Sequence, residues 1–241
     1  VRDFAGNWKG GPMQYIEHGL GMKGTASVYA VFLTGASLGM GNMTQANSVA
    51  QGLSGFGISP VVAAVILCSL TAFSILGGLK RISAISEKLI PLLSAAFVLA
   101  CFIIIGKNID NLIPSLKLII KEAFTIKAVT GFGLAKAARY GISRGVFSNE
   151  AGLGSSAIIH AAACCKNPGE QGMWGILEVF IDTVFMCTVT AAAILTCGVW
   201  NPETELNGAQ LCIAVFENTF GKAGGYFLNA CISLFAFATL I

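Results

Sequence analysis

The sequence predicts an all-α polytopic membrane protein, and three observations predict it. Of its 241 residues, 55% are hydrophobic and only 11% are charged, where an average soluble domain carries about 25% charged residues. The mean hydropathy is +0.75. Several uninterrupted apolar runs approach the roughly 20 residues that cross a bilayer as a helix. A soluble fold would need a polar surface, and 15 Lys and Arg with 12 Asp and Glu would cover it thinly. The net charge of +3 is small and dispersed, which argues against a nucleic-acid partner.

The elements follow in order. Residues 1–23 are polar, and Gly10, Gly11 and Pro12 predict a turn. A first span is expected over Thr25–Ala50 and a second over Pro60–Gly78. Lys80, Arg81, Glu87 and Lys88 read as a short charged link, partly amphipathic. A third span is expected over Leu89–Ile105. Residues 107–128 place Leu116, Ile119, Ile120, Ala123 and Phe124 at helical spacing between charges, the pattern of a helix lying in the membrane interface. A span over Met173–Val199, a polar loop with Asn201, Pro202, Glu203 and Glu205, and a last apolar run from Ala223 complete the chain.

Basic residues in short loops set orientation. Arg2, Lys9 and Lys23 precede the first span, and Lys80, Arg81 and Lys88 follow the second. Both links are therefore expected on the cytoplasmic side. The basic residues of 107–144 oppose this assignment, but a long amphipathic connection is the weaker signal. The eight cysteines form no CxxC pair and lie mostly in apolar runs, so a zinc site or disulfide framework is not expected. The chain starts at Val1 and stops at Ile241 inside an apolar run. It reads as a single transmembrane domain, 1–241, incomplete at both ends.

The stretch GVFSNEAGLGSS, residues 145–156, sets Ser148, Asn149 and Glu150 among Gly145, Gly152 and Gly154. Irregular backbone at membrane depth survives only where protein or a watery cavity surrounds it. Two half-helices meeting at a glycine-rich break are a transporter device. One half should end near Phe147 and the other start near Ala151, giving a discontinuous helix over 134–165. The carbonyls of the first half make its end partly negative, suited to an ammonium group or Na⁺. Ser148 or Asn149 would cap the second half. The alternative is an ordinary capped turn at the surface.

Other polar positions suit a buried route. Asn42 and Gln45 lie three apart, on one helical face. Gly35 and Gly39 have the spacing of a close helix contact. Gln45 serves equally as an interhelical hydrogen-bond partner. Asp182 stands near the middle of the 173–199 span, and a carboxylate there is costly enough to suggest function. Its alternative is a structural partner for Arg144. Thr183, Cys187 and Thr190 follow at i, i+4 and i+7 of the same helix, where hydroxyls can simply bond back to the helix. His160, among alanines and isoleucines, reads as a packing residue.

These residues resemble a known family, the alanine or glycine:cation symporters, nearly end to end. GGPMQYIEHGLG (10–21) is similar to the family's GGPMYYI segment, and GNMTQANSVA (41–50) to its GNxxQANSxA stretch. RGVFSNEAGLGSSAIIHAAA (144–163) resembles its most characteristic motif. FIDTVFMCTVTA (180–191) and LFAFATLI (234–241) match later motifs in order.

The resemblance implies a LeuT-like fold of two inverted five-helix repeats. This chain would supply core helices three to eight, with 134–165 as core helix six, and would leave one, two, nine and ten outside. By the same resemblance Gln45, with Asn42 beside it, would contact the substrate. Phe147 would line an apolar pocket, and Gly145 to Asn149, Ser148 included, would hold the amine through backbone. Thr239 would sit near a sodium site. Two departures are visible. Ala238 stands where the usual pattern FAFST has Ser, which removes a hydroxyl beside that site. Gln14 replaces a Tyr in a loop.

The implied function is secondary symport of alanine or glycine with Na⁺ across the plasma or inner membrane, without a cofactor. Proton coupling, with Glu150 or Asp182 as carrier, is the alternative. A reading of another class, an intramembrane hydrolase using Ser148 or Ser155 with His160, lacks a GxSxG elbow.

Overall fold

The computed structural model describes residues 9–76, 78–123, 131–149, 154–161, 163, 165, 167–201, 206 and 208–241. Every regular element among them is helical. In order they are α1 (Pro12–Leu20), α2 (Lys23–Ala36), a π-helical segment (Ser37–Met43), α3 (Thr44–Ser54), α4 (Pro60–Leu76) and α5 (Gly78–Lys107). A 3₁₀ turn (Ile109–Asn111) leads into α6 (Leu112–Ala123). Then come α7 (Gly131–Asn149), α8 (Ser156–His160), α9 (Pro168–Val179), a second π-helical segment (Phe180–Met186) and α10 (Cys187–Cys197). The chain closes with α11 (Ala209–Phe220) and α12 (Lys222–Leu240).

Three of these helical stretches are long and apolar enough to cross a bilayer: Ala84–Lys107, Pro168–Cys197 and Lys222–Leu240. Pro60–Leu76 is equally apolar in character but shorter. Large apolar side chains stand outward on these helices, such as Val61 at 74%, Leu76 at 87% and Ile176 at 72% exposure. Water penalises so much contiguous apolar surface, whereas hydrocarbon does not. The chain is an all-helical membrane protein.

Several sequence expectations shift. The first expected span is helical from Lys23 to Ser54 across the π segment, yet it is not among the spanning candidates. Asn42, Thr44, Gln45, Asn47 and Gln51 make its second half too polar. The charged stretch from Lys80 to Lys88 is not a link but the first turns of α5. The turn expected at Gly10–Pro12 instead opens α1, with Pro12 inside the first helical turn and Gly21 closing it in a left-handed conformation. Proline is pre-organised for a helix start because that N–H has no partner to lose. Of the stretch 107–128 expected as an interface helix, the structure describes the end of α5, the 3₁₀ turn and α6, and 124–130 lie outside the described residues.

The chain forms two compact units. The first combines residues 1–37 with 121–188. Within it α1 packs on α2, and the second π segment, which continues α9, packs on α7. Gly154 is pinned here. Its φ is +78°, and a Cβ at this position would meet Pro12 Cδ at 3.2 Å and the Tyr29 hydroxyl as well. Only glycine accepts that conformation without strain.

The second unit combines residues 38–120 with 189–241. Its core joins Cys101 and Ile104 of α5, Val189 and Ala193 of α10, Val215 and Phe216 of α11, and Leu228 and Cys231 of α12. Phe97 stacks on Phe216 with centroids 5.7 Å apart, and Phe216 on Phe227 at 6.2 Å. Two long side chains join helix ends in this unit. Lys107 Nζ donates to the Thr219 carbonyl at 3.2 Å, and Asn111 Nδ2 to the Thr196 carbonyl at 3.0 Å.

The most extensive pairing in this unit is α3 on α12. Gly52 makes it possible. A Cβ there would stand 2.8 Å from the Asn229 carbonyl oxygen and would overlap the Ser233 hydroxyl. Small residues let two backbones approach this closely where hydrocarbon gives no other reason to associate. Gly35 and Gly39, expected to serve this purpose, do not: a Cβ at either would meet nothing among the described residues. Both flank or enter the exposed π segment, and the close approach lies four turns further on.

Candidate functional site

α7 ends at Asn149, and α8 begins at Ser156. Gly154, just before α8, carries the positive φ that turns the chain. A helix end leaves its last carbonyls without intrahelical partners and is partly negative. Ser148 lies in its final turn. Its hydroxyl donates to Asp182 Oδ2 in the second π segment, and Thr183 Oγ1 lies 3.4 Å from the same hydroxyl oxygen. A charge-assisted hydrogen bond of this kind is stronger than one between neutral groups.

Three side-chain oxygens from two elements thus meet at one helix end. The π segment matters to this meeting. Its i→i+5 pattern widens the helix locally, and Asp182 and Thr183 both lie within it. Carboxylate charge and terminal carbonyls are of one sign here, so the cluster favours a cation: a metal ion, an ammonium group or a proton. Ser148 bonds Asp182, Ser155 directly precedes α8, and the half-helix start expected near Ala151 lies outside the described residues. Glu150 lies outside the described residues, as do the side chains of Arg144, Phe147 and Asn149. Gly145 is half-buried within α7, and a Cβ there would meet nothing nearby.

His160 is a polar contact rather than the packing residue expected. Its Nε2 lies 3.1 Å from Glu178 Oε2 on α9. A carboxylate eighteen residues away gives no sequence signal to a lone histidine. Ser148 bonds the Asp182 carboxylate, and His160 the Glu178 carboxylate.

In the second unit α3 and α12 run antiparallel. Gly52 faces Ser233, and further along Val49 meets Ala236 with Ala46, Phe237 and Leu240 around them. One more turn of α3 brings Gln45 to the level of Thr239. Gln45 is half-buried, whereas Asn42 is exposed. Asn42 lies in the first π segment and Gln45 in α3, so the simple i, i+3 face does not hold across the change of helix type. Thr239 donates its hydroxyl hydrogen to the Phe235 carbonyl at 3.0 Å. The oxygen keeps its lone pairs and remains a competent cation ligand. The half-buried Ala238 beside it offers none.

A profile of the sodium:alanine symporter family matches residues 1–241. The chain is 36% identical over 246 residues to the sodium/alanine symporter AgcS of Methanococcus maripaludis, covering 99% of this chain and 54% of that protein. It is 35% identical over 243 residues to the amino-acid carrier protein AlsT of Bacillus subtilis, covering 100% and 51%. A third relative, named "Probable sodium/glutamine symporter GlnT" in Bacillus subtilis, is 34% identical over 242 residues, covering 100% and 50%. The chain spans about half the length of these curated relatives. A match along the whole chain, relatives with shared naming as carriers, and an all-helical apolar fold agree: the chain belongs to the sodium:alanine symporter family.

Proposed function

We propose that this chain is the central part of a secondary active symporter that takes up a small neutral amino acid, alanine or glycine, with Na⁺. One observation carries the reading: the oxygen cluster of Ser148, Asp182 and Thr183 at the end of α7, where charge and helix dipole both favour a cation. In this reading the α7 end, from Gly145 to Asn149, receives the substrate amine, and Phe147 faces its apolar side chain. Gln45 from α3 and Asn42 from the first π segment contact the substrate. Asp182, Glu150 and Thr239 belong to ion coupling, with Thr239 near a Na⁺ site. The fold would be LeuT-like, with this chain as core helices three to eight and 134–165 as the discontinuous one, in a multi-pass cell-membrane protein.

Coupling follows from linkage. Whatever factor Na⁺ adds to substrate affinity, substrate adds to Na⁺ affinity. Alternating access would rock the helices around the site. The proton-coupled reading has one observation in its favour: Ala238 withholds a hydroxyl where the family pattern has one. Asp182, already bonded to a neutral hydroxyl, would then carry the proton. The relative named for glutamine widens the range of side chains worth testing.

The test is alanine and glycine uptake into proteoliposomes by the protein containing this chain, with an inward Na⁺ gradient against matched choline at fixed pH. Uptake with Na⁺ alone supports the reading. Uptake that ignores Na⁺ and follows an imposed pH gradient transfers coupling to protons. No uptake of either amino acid under either gradient, from folded protein, refutes the substrate assignment.

A further inference from the structure

The chain on each side of the break after α7 is bonded to one neighbour. Ser148, in the last turn of α7, donates to Asp182. His160, the last residue of α8, has its Nε2 3.1 Å from Glu178 Oε2. A carboxylate only accepts, so Nε2 carries the hydrogen of this bond. Glu178 and Asp182 stand four residues apart on one continuous helix, α9 with its π segment. The two bonds hold both α7 and α8 to successive turns of that helix.

The second bond is not a by-product of close packing. A cleft of about 740 Å³ lies between α8 and α9, lined by Ser156, Ala157 and His160 on one side and Gly172, Gly175 and Glu178 on the other. His160 reaches across it. Its ring passes the bare backbone of Gly175, where a Cβ would stand 3.7 Å from Cε1, and meets the carboxylate. The start of α8 is fixed separately, through Gly154 against Pro12 and the Tyr29 hydroxyl. Glu178 is the next-to-last residue of α9, and the π segment begins at Phe180. The point where a helix changes from α to π sets the aim of the side chains inside the π segment.

We propose that His160 and Glu178 are positioning residues for the oxygen cluster: their bond fixes the end of α9 against α8, and with it the aim of Asp182 and Thr183 toward Ser148. This rests on the reading of Ser148, Asp182 and Thr183 as a cation site. Neither His160 nor Glu178 touches the ion. Ligands held in place before the ion arrives bind it more tightly, and losing a partner that orients them costs about tenfold or more in affinity.

The experiment is alanine uptake into proteoliposomes by the protein containing this chain, at fixed pH, with Na⁺ varied against choline. It yields a half-saturating Na⁺ concentration and a maximal rate. His160→Leu and Glu178→Leu should each raise the half-saturating concentration about tenfold, with little change in the maximal rate per folded protein. His160→Gln keeps an N–H donor and Glu178→Gln an acceptor, and each should recover most of the affinity. A general loss of packing would lower the maximal rate instead, and neither Gln variant would rescue it. In the Asp182→Asn background His160→Leu should add nothing, because its effect passes through Asp182. Glu178 is 63% exposed, so Glu178→Leu tests the bond even where His160→Leu fails to fold. Na⁺ dependence that responds to Asp182→Asn but to neither Leu variant sinks the positioning role alone, and so does a full His160→Leu effect that persists with Asp182→Asn. Wild-type uptake that ignores Na⁺, or Na⁺ dependence unchanged by Asp182→Asn, sinks the cation-site reading itself.

Discussion

Gly52→Ala should loosen the α3–α12 pair by an amount the geometry sets. The new Cβ would lie 2.8 Å from the Asn229 carbonyl oxygen and 3.4 Å from the Ser233 nitrogen. The Ser233 hydroxyl also occupies its place. A side chain could swing away, but a helix carbonyl cannot. The two backbones must then part by about half an ångström, a gap that forfeits roughly a quarter or more of the contact energy of the atoms along it. Overpacking of this kind costs about 1–3 kcal/mol. Alanine returns up to about 1 kcal/mol through helix propensity. The net loss should be about 1–2 kcal/mol. Thermal unfolding in detergent should read this as a Tm lower by about 2–8 °C, at about 2–4 °C per kcal/mol for a chain of this size. Gly106→Ala is the control. It also lies in a helix, but its Cβ would meet nothing within 4 Å, so it should be neutral or slightly stabilising. If Gly52→Ala proves as stable as Gly106→Ala, the argument that backbone contact sets this interface is wrong.

Four further outcomes are expected. Ser148→Ala and Asp182→Asn should be non-additive in the Na⁺ dependence of uptake, with a coupling of about 1 kcal/mol, since contacting groups share their energy; additive effects would dissolve the cluster. Gln45→Ala should weaken alanine binding about tenfold, the value of a lost hydrogen bond to a charged group, and unchanged competition binding would remove Gln45 from the site. Gly154→Ala should lower stability by about 1–2 kcal/mol from its left-handed φ alone, which thermal unfolding would detect, and the Pro12 ring should add to that cost. Glu178→Gln should change stability by less than about 1 kcal/mol, because Glu178 is 63% exposed in its pair with His160; a larger shift in chemical denaturation would mark the pair as structural.

Apolar runs made four helices legible: Pro60–Leu76, the later part of α5, Pro168–Cys197 and α12. Length and hydropathy decide such elements locally. α11 was not legible. AQLCIAVFENTF is 12 residues long, too short to announce a span, and its signal lay in the flanking Gly208 and Gly221, both at positive φ. α1 had a proline at its start and a glycine at its end, yet that punctuation also spells a turn. The partner of Ser148 was not legible either. Ser148 and Asp182 stand 34 residues apart, and no periodicity connects them. Asp182 attracted notice through the cost of a carboxylate in an apolar helix, whereas its hydrogen-bond donor emerged only from packing. The level shared by Gln45 and Thr239 is also a fact of tertiary register, set by which small residues let α3 and α12 touch.

The two π segments have a consequence for changes of chain length. Each carries one residue more per hydrogen-bonded ring than an α-helix does. Deleting one residue within Phe180–Met186 would let the backbone close into an uninterrupted α-helix. The helix on either side would keep its direction, because a π segment absorbs its extra residue within itself; the residues inside the segment would be re-aimed. Asp182 and Thr183 would no longer meet Ser148, although no oxygen had been substituted. The oxygen cluster depends on a residue count as much as on residue identity.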